Sequence, residues 1–550
     1  MTAISIGVSL FPSLTAPPEP SAPVWNELSN PEDDAANNGI GADGANSRVD
    51  NLGYYYLDRD FTDNRLTSGL AFTAANAVGW EPNGLIIAPS REMWLARSLQ
   101  ADNAAWTHQN CTAGNGDAGP RPADTSKKIT ASTITDQPCR SYQSLTGVLT
   151  SGNSMRIVVS GCHVPRTGSD ISTVGVVLDI DGSNYGRVFF DLENKVAEVV
   201  PSVTAGDVSV YRAYFEDITY YNDYVRYAAV FDIADTNTTT DATISFYWKD
   251  ANDNTLTSTL DGDELNCYHF QAEISGDGTS GDWGAYAGQM IGVGGTVPTT
   301  RAADRYKWPW SGGTGTQFSV TGTDTATAGD AIQTIGTIYF EITPKVDSRW
   351  WGGYIEGFSV EDNFRAGIIG GAAEDEGGTD YLDTVRSSYA YYISDQDQDG
   401  VSGTYGGLAS KAHNQPAGHP SEGVGVTADT GEDYILLEGR TYNVVLTYAD
   451  TGDGNGAGYL RMFVNGVKVG EDDGFLSWGN GTNAPSPSPD WTAPGGGSNL
   501  GLVVGAAAQG AGLGFENGTG YFAIQNLQWR TVELTENQAA YLSANGRDAW

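Results

Sequence analysis

Two groups of residues in this chain have the types and spacing to do chemistry. The first is acidic. In Asp395-Gln-Asp-Gln-Asp-Gly400 the carboxylates Asp395, Asp397 and Asp399 recur at every second position ahead of a glycine. Oxygen ligands so spaced on a tight turn suit a hard cation such as Ca2+. An EF-hand would carry Glu at the loop's last position. That position is Gly406 here, so a distant oxygen has to complete the site. Asp450-Thr-Gly-Asp-Gly-Asn455 is a second acidic turn, with Asp450 and Asp453 as ligands. For both, a solvated acidic turn without metal is the plainer alternative.

The second group is aromatic. Trp350-Trp351, Tyr354 and the run Tyr389-Ala-Tyr-Tyr392, with Tyr391 and Tyr392 at its end, could stack on sugars. The C–H edges of a sugar are apolar and slightly positive, and the face of an aromatic ring is negative. The competing role for such rings is core or interface packing. Trp308-Pro-Trp310 reads as packing between domains.

Catalytic signatures do not occur. A jelly-roll glucanase would place carboxylates as Glu-x-Asp-x-x-Glu on one strand, because nucleophile and acid must flank one bond. That string is missing, and Glu374-Asp-Glu376 lies in a Gly-rich stretch without strand character. Neither a G-x-S-x-G elbow nor H-E-x-x-H is present. The five histidines are scattered, and His413 and His419 share a Pro-containing loop. We therefore expect a protein that is not an enzyme.

The elements that must position these groups read as β throughout. Gly is 71 of 550 residues, aromatics are 11%, and charged residues only 18%. This is the composition of a turn-rich all-β protein. Strand-like runs include Met155–Ser160, Val174–Ile180, Arg187–Asp191, Tyr224–Phe231 and Ala242–Trp248, with turns at Asp181-Gly182 and 250–254. After a Trp-, Pro- and Gly-rich break at 301–315 a second set begins: Gly336–Thr343, Tyr442–Tyr448, Gly458–Val464, Val467–Val469, Leu500–Val504 and Gly520–Trp529. Asn465-Gly466 joins two of these as a hairpin. Thr535-Glu-Asn-Gln538 fits a capping box and begins one short helix, Glu536 to about Leu542. Residues 1–50, rich in Pro, Asn and Asp, read as an extended arm without its own core, of a kind that often lies along a neighbouring subunit, with a floppy linker as the alternative. We expect an all-β fold of two tandem β-sandwich (jelly-roll) domains, 51–305 and 318–550, behind that arm.

Charge narrows the partners. Asp plus Glu number 68 against 29 Lys plus Arg, a net charge of −39. That argues against nucleic acid, which calls for a basic face, and against anionic lipid. No apolar run is long enough to span a membrane, and no Lys or Arg precedes the apolar stretch at the start, as a secretory signal would require. Cys111, Cys139, Cys162 and Cys267 form no C-x-x-C pair, so zinc is not expected. One or two disulfides and buried free thiols both remain open readings, and four cysteines allow three connectivities.

The second set of strands resembles the laminin-G-like and concanavalin-A-like jelly rolls. The likeness is carried by the strand Tyr442–Tyr448, the loop 450–456, the hairpin Leu460-Arg-Met-Phe-Val-Asn-Gly-Val-Lys-Val469, and a closing strand followed by Leu534-Thr-Glu-Asn-Gln538. In such folds calcium often sits on rim loops near the ligand face. The first set resembles the carbohydrate-binding-module-like domains of tailed-phage virion proteins, including tail fibres and head fibres. The matching segments, in order, are Asn83-Gly-Leu-Ile-Ile-Ala-Pro-Ser-Arg91, Asp102-Asn-Ala-Ala-Trp106, Phe270-Gln-Ala-Glu273 and Val297-Pro-Thr-Thr-Arg-Ala-Ala-Asp304. The family's usual Arg-Thr-Asn-Leu is Arg91-Glu-Met-Trp94 here. The resemblance implies a virion surface protein, assembled in the host cytoplasm, that acts as a fibre, adhesin or capsid decoration. Other virion subunits and host surface glycans are the expected partners, and exposed sheet edges with Gly-rich loops suit a homo-oligomer, with a trimer as the expected state. A polysaccharide-degrading enzyme and a purely capsid-stabilising decoration are the alternatives.

Overall fold

A computed structural model of the chain describes residues 25–27, 79–81, 84–89, 91–120, 125–132, 136–200, 206–216, 221–250, 256–276, 284–288, 290, 298–301, 306–309, 335–351, 364–372, 385–394, 407–414, 424–427, 435–449, 458–475, 501–504, 520–530 and 533–546. The fold is all-β, with antiparallel pairing between its strands.

The first sandwich packs a six-stranded sheet against a larger one. The six-stranded sheet runs, edge to edge, Val196–Val200, Tyr185–Asp191, Thr173–Asp179, Ala242–Lys249, Arg140–Leu145 and Thr107–Gln109. The larger runs Val208–Phe215, Val225–Ile233, Met155–Pro165, Glu264–Gly276, Arg91–Met93 and Thr299–Arg301. The hairpin Cys111–Ala118/Thr125–Ala131 joins it through Glu264–Cys267. Alternation builds the core: Ile157, Val159, Phe231 and Phe270 from one sheet meet Val174, Val176, Phe190, Phe246 and Trp248 from the other. Most of Met155–Pro165 is buried on both faces, so something also covers its outer side.

The second body has two sheets. One runs Gly79–Glu81, Gly84–Ile87, Phe522–Arg530, Ile335–Pro344, Tyr442–Ala449, Gly458–Val464 and Val467–Phe475. The other runs Tyr306–Pro309, Gly501–Val504, Phe364–Ala372, Val385–Ser394, Gly407–Asn414 and Val424–Thr427. Asn465 and Gly466 have φ of 48° and 87°, the two left-handed positions of a type I′ hairpin. The helix Glu536–Asn545 carries the expected capping box: Thr535 Oγ1 accepts from Gln538 N–H while Thr535 N–H donates to Gln538 Oε1 at 3.0 Å. Its Ala539 and Leu542 pack on Tyr339, Val445 and Phe463.

Domain limits differ from the sequence reading. Gly84–Ile87, assigned there to the first sandwich, pairs with Phe522–Ile524 of the second body. Trp25–Glu27, read as part of an arm along a neighbour, pairs with Gln528–Arg530 of the same chain. Tyr306–Pro309 pairs with Gly501–Val504. The strand Phe522–Arg530 would otherwise be a sheet edge, a row of unpaired backbone groups, and two early segments of the chain cover it. The second body is thus discontinuous in sequence, and the first sandwich is inserted between residues 87 and 306. All four cysteines are free and buried.

Candidate functional site

The outer face of the larger sheet of the first sandwich is unusual in carrying charge where it is buried. Strand Val208–Phe215 explains part of this. Val208, Val210, Ala213 and Phe215 belong to the inner core. The register against Val225–Ile233 slips between Val210 and Arg212, so Tyr211 is the extra residue of a bulge. A bulge re-aims side chains. Here it places both Tyr211 and Arg212 outward, where strict alternation would allow only one.

Tyr211 is 37% exposed. The guanidinium of Arg156 lies 4.0 Å from its ring centroid and covers one face. Arg156 is fully buried and grips Asp232 with both ends of its fork, Nε to Oδ1 at 2.7 Å and Nη2 to Oδ2 at 2.8 Å. Such a bidentate pair fixes the guanidinium plane and with it the tyrosine ring. Trp350, in the 3-10 turn Ser348–Trp350 of the second body, approaches Tyr211 edge-on, with centroids 6.3 Å apart and planes at 88°. Arg212 sits 4.1 Å from the Trp350 ring and 3.9 Å from the Tyr214 ring. The result is a half-exposed platform of two aromatic rings, backed by two arginines, at the junction of the two bodies.

Beside it, the strap Gly284–Gly288 seals the rest of the face. Ala285 N–H donates to the Trp350 carbonyl at 2.9 Å, and Arg212 Nη1 donates to Ala285 O at 3.0 Å. Ala287 N–H donates to Tyr214 Oη at 2.8 Å. Ala285 and Ala287 pack on Val158, Ala228 and Val230. Beneath the strap, Glu273 accepts from Gly288 N–H at 2.5 Å and from Gln271 Nε2 at 3.0 Å, with Arg91 Nε 3.8 Å away. Arg226 donates to Gly288 O at 2.6 Å and to Glu216 at 2.7 Å. Burial pushes the Glu273 carboxyl above the usual range, against the pull of Arg91. Tyr286, under which Arg91 lies at 4.9 Å, stacks on Tyr521 of the second body, with centroids 5.7 Å apart and planes at 9°. These charges hold the strap down and tie the two bodies together.

Trp350 is at the platform. Trp351 is not a glycan contact: it is fully buried, packed on Phe522 at 5.5 Å and against Gly520. The 3-10 turn sends adjacent side chains in different directions, so only one tryptophan of the pair reaches the junction. Tyr391 and Tyr392 lie on strand Val385–Ser394, opposite Gly367 and Ala366, with their rings outside the described residues. Tyr354, Asp395, Asp397, Asp399, Asp450, Asp453, Glu374 and Glu376 also lie outside them. Among the described residues, no group of three or more His, Cys, Asp or Glu could hold a metal. Tyr211, Arg212, Arg156 and Asp232 escaped the sequence reading. A faint signal existed: two outward-type residues in succession, Tyr211-Arg212, interrupt an otherwise alternating run.

No family model matches the chain, and no curated protein matches it. Among solved structures, a mutant of the alginate lyase Aly36B in complex with an alginate tetrasaccharide is 13% identical, covering 42% of this chain and 76% of that one, at a TM-score of 0.22. The N-terminal CBM22-1–CBM22-2 tandem domain of Paenibacillus barcinonensis Xyn10C is 10% identical, covering 80% and 98%, at 0.20. Trypanosoma rangeli sialidase in complex with sialic acid is 11% identical, covering 79% and 62%, at 0.21, so the chain spans about three-fifths of that protein's length. TM-scores this low carry no argument about this chain's activity.

Proposed function

We propose that this chain is a non-enzymatic bacteriophage virion surface protein, a fibre or capsid decoration, that contacts host glycans at the junction of its two bodies. The observation that carries the glycan part is the Tyr211–Trp350 platform. One ring face of Tyr211 is held by Arg156 and Trp350 meets the ring edge to face, which leaves Tyr211 37% exposed for contact with a sugar's C–H edge. The partly exposed guanidinium of Arg212, at the edge of the platform, suits a sugar hydroxyl. The virion part rests on the family likeness of the segments around Arg91, Phe270–Glu273 and Val297–Asp304. Of these, Arg91–Met93, Glu273 and Thr299–Arg301 are sheet neighbours. Homo-oligomerisation as a trimer, association with other virion subunits, and Ca2+ at the Asp395 and Asp450 loops belong to the same proposal. The test is a panel of bacterial surface polysaccharides titrated against the full chain and Tyr211→Ala: binding lost in the variant supports the reading, and equal binding by both overturns the platform.

A second reading has one observation in its favour. The buried Arg91–Glu273 and Arg226–Glu216 pairs form a cluster of ionisable groups of the kind active sites assemble. In that reading the protein is a polysaccharide-degrading enzyme whose strap Gly284–Gly288 opens. Depolymerisation abolished by Glu273→Gln would establish it, and no product from any polysaccharide the protein binds would dismiss it.

A further inference from the structure

A cluster away from the platform joins the two sheets of the first sandwich. Cys111 opens the strand Cys111–Ala118 of the larger sheet, and Cys139 immediately precedes Arg140–Leu145 of the six-stranded one. The two thiols reach past each other. Cys111 Sγ lies 3.3 Å from Arg140 O, and Cys139 Sγ lies 3.4 Å from Asn110 O. Each therefore points at the backbone beside the other cysteine.

An imidazole stands over the pair. His108 Nδ1 is 4.0 Å from Cys111 Sγ and 2.9 Å from Ser141 Oγ, and Ser141 Oγ is itself 3.9 Å from the thiol. His108 Nε2 is 2.9 Å from the Ala101 carbonyl, which can only accept. Nε2 therefore carries hydrogen and Nδ1 accepts; Ser141, which accepts from Trp248 Nε1 at 3.1 Å, donates its hydroxyl to Nδ1, and the Cys111 proton reaches Nδ1 directly or through that hydroxyl. Hydrogen bonding from Cys139 and the neighbouring imidazole pull the Cys111 thiol down, while Cys139 is pushed up. Cys162 and Cys267, at 0% and 1% exposure, are pushed up by burial. Cys111 keeps 7% exposure, against 0% for Cys139.

We infer that Cys111 and Cys139 form an oxidation site that takes a peroxide and closes to a disulfide linking the two sheets. The Cys111 thiolate attacks a peroxide oxygen. The S–O bond forms, the O–O bond breaks, and the departing hydroxide takes the proton that His108 had received, leaving as water. Cys139 sulfur then attacks the sulfenic sulfur: the S–S bond forms, the S–O bond breaks, and the hydroxyl leaves as water with the Cys139 proton. Two thiols lose two electrons in all, and one hydrogen peroxide becomes two waters. The attacking and the resolving sulfur thus stand beside each other's backbone before any oxidant arrives.

The test uses the folded full chain and hydrogen peroxide, followed by unfolding, alkylation and peptide mass spectrometry. The expected result is a peptide pair joined through Cys111 and Cys139, reversed by a thiol reductant. Cys162 and Cys267 should stay alkylatable and react at least about tenfold more slowly than Cys111. In Cys139→Ser the sulfenic acid on Cys111 should accumulate and be trapped by dimedone. The inference is overturned if Cys162 or Cys267 oxidises as fast as Cys111, or if all four thiols survive peroxide that oxidises the methionines. The wild-type measurement decides the matter even where the variant does not fold.

Discussion

The guanidinium of Arg212 lies 4.1 Å from the ring of Trp350, so a residue displaced outward by a bulge in one body holds the only described tryptophan of the other body's 3-10 turn that faces the junction. The same tryptophan's carbonyl accepts from Ala285, which Arg212 also contacts. Platform, strap and junction are one structure.

Trp350→Ala should therefore loosen the two bodies and the strap together. The cation–π contact and the lost ring area are worth roughly 2 kcal/mol. Amide exchange should speed up at Ala285 and Ala287 while the core strand Met155–Pro165 stays protected. Unchanged exchange at Ala285 would mean that the strap is held without the tryptophan.

Gly84 tests the discontinuous second body. Its φ is 116°, and a Cβ there would land on the Ile524 carbonyl oxygen. Gly84→Ala should destabilise the body by more than about 2 kcal/mol in denaturant unfolding. A change within roughly 0.5 kcal/mol would show that this strand pairing does not matter in solution.

How much of this was legible in the sequence depends on range. Asn465-Gly466 and Thr535 with Gln538 are local signals, and each strand near them was found from alternation because its turn chemistry is written in adjacent residues. The pairing of Gly84–Ile87 with Phe522–Ile524 is not local: any free edge could have taken that short apolar run, and nothing in its own residues names the partner. Tyr211 failed for a different reason. One inserted residue shifts the side-chain period, and the slip at Val210/Arg212 shows only against the neighbouring strand. Of the tryptophan pair, sequence could nominate both but not say which would be core.

His163 should make the protein acid-sensitive. It is fully buried, shares a 2.6 Å hydrogen bond with Tyr227 Oη, and burial pushes its pKa from 6.5 to about 3. The unfolded chain takes up a proton below pH 6.5 that the folded protein refuses. The contribution is whole above pH 6.5 and drains as pH falls towards 3. Between pH 6.5 and 5 the loss is about 2 kcal/mol. Unfolding of wild type and His163→Gln at both pH values isolates it: the wild type should lose that much more than the variant, and parallel losses would refute the assignment.

Calcium at the Asp395 loop should appear as a chelator effect. With free Ca2+ about a hundredfold above its Kd, removal lowers stability by about 2.7 kcal/mol, a Tm drop of order 5 °C. Asp397→Asn should lose the response. A Tm unmoved by chelation would dispose of the site.

The most direct test is isothermal titration of the intact protein with the polysaccharide it retains best, alongside Tyr211→Ala, with the sugar analysed for cleavage afterwards. We expect saturable binding, at least about tenfold weaker in the variant, a difference of roughly 1.4 kcal/mol, and polymer of unchanged length. Equal affinity in both proteins, or shortened polymer that Glu273→Gln leaves intact, would contradict the account.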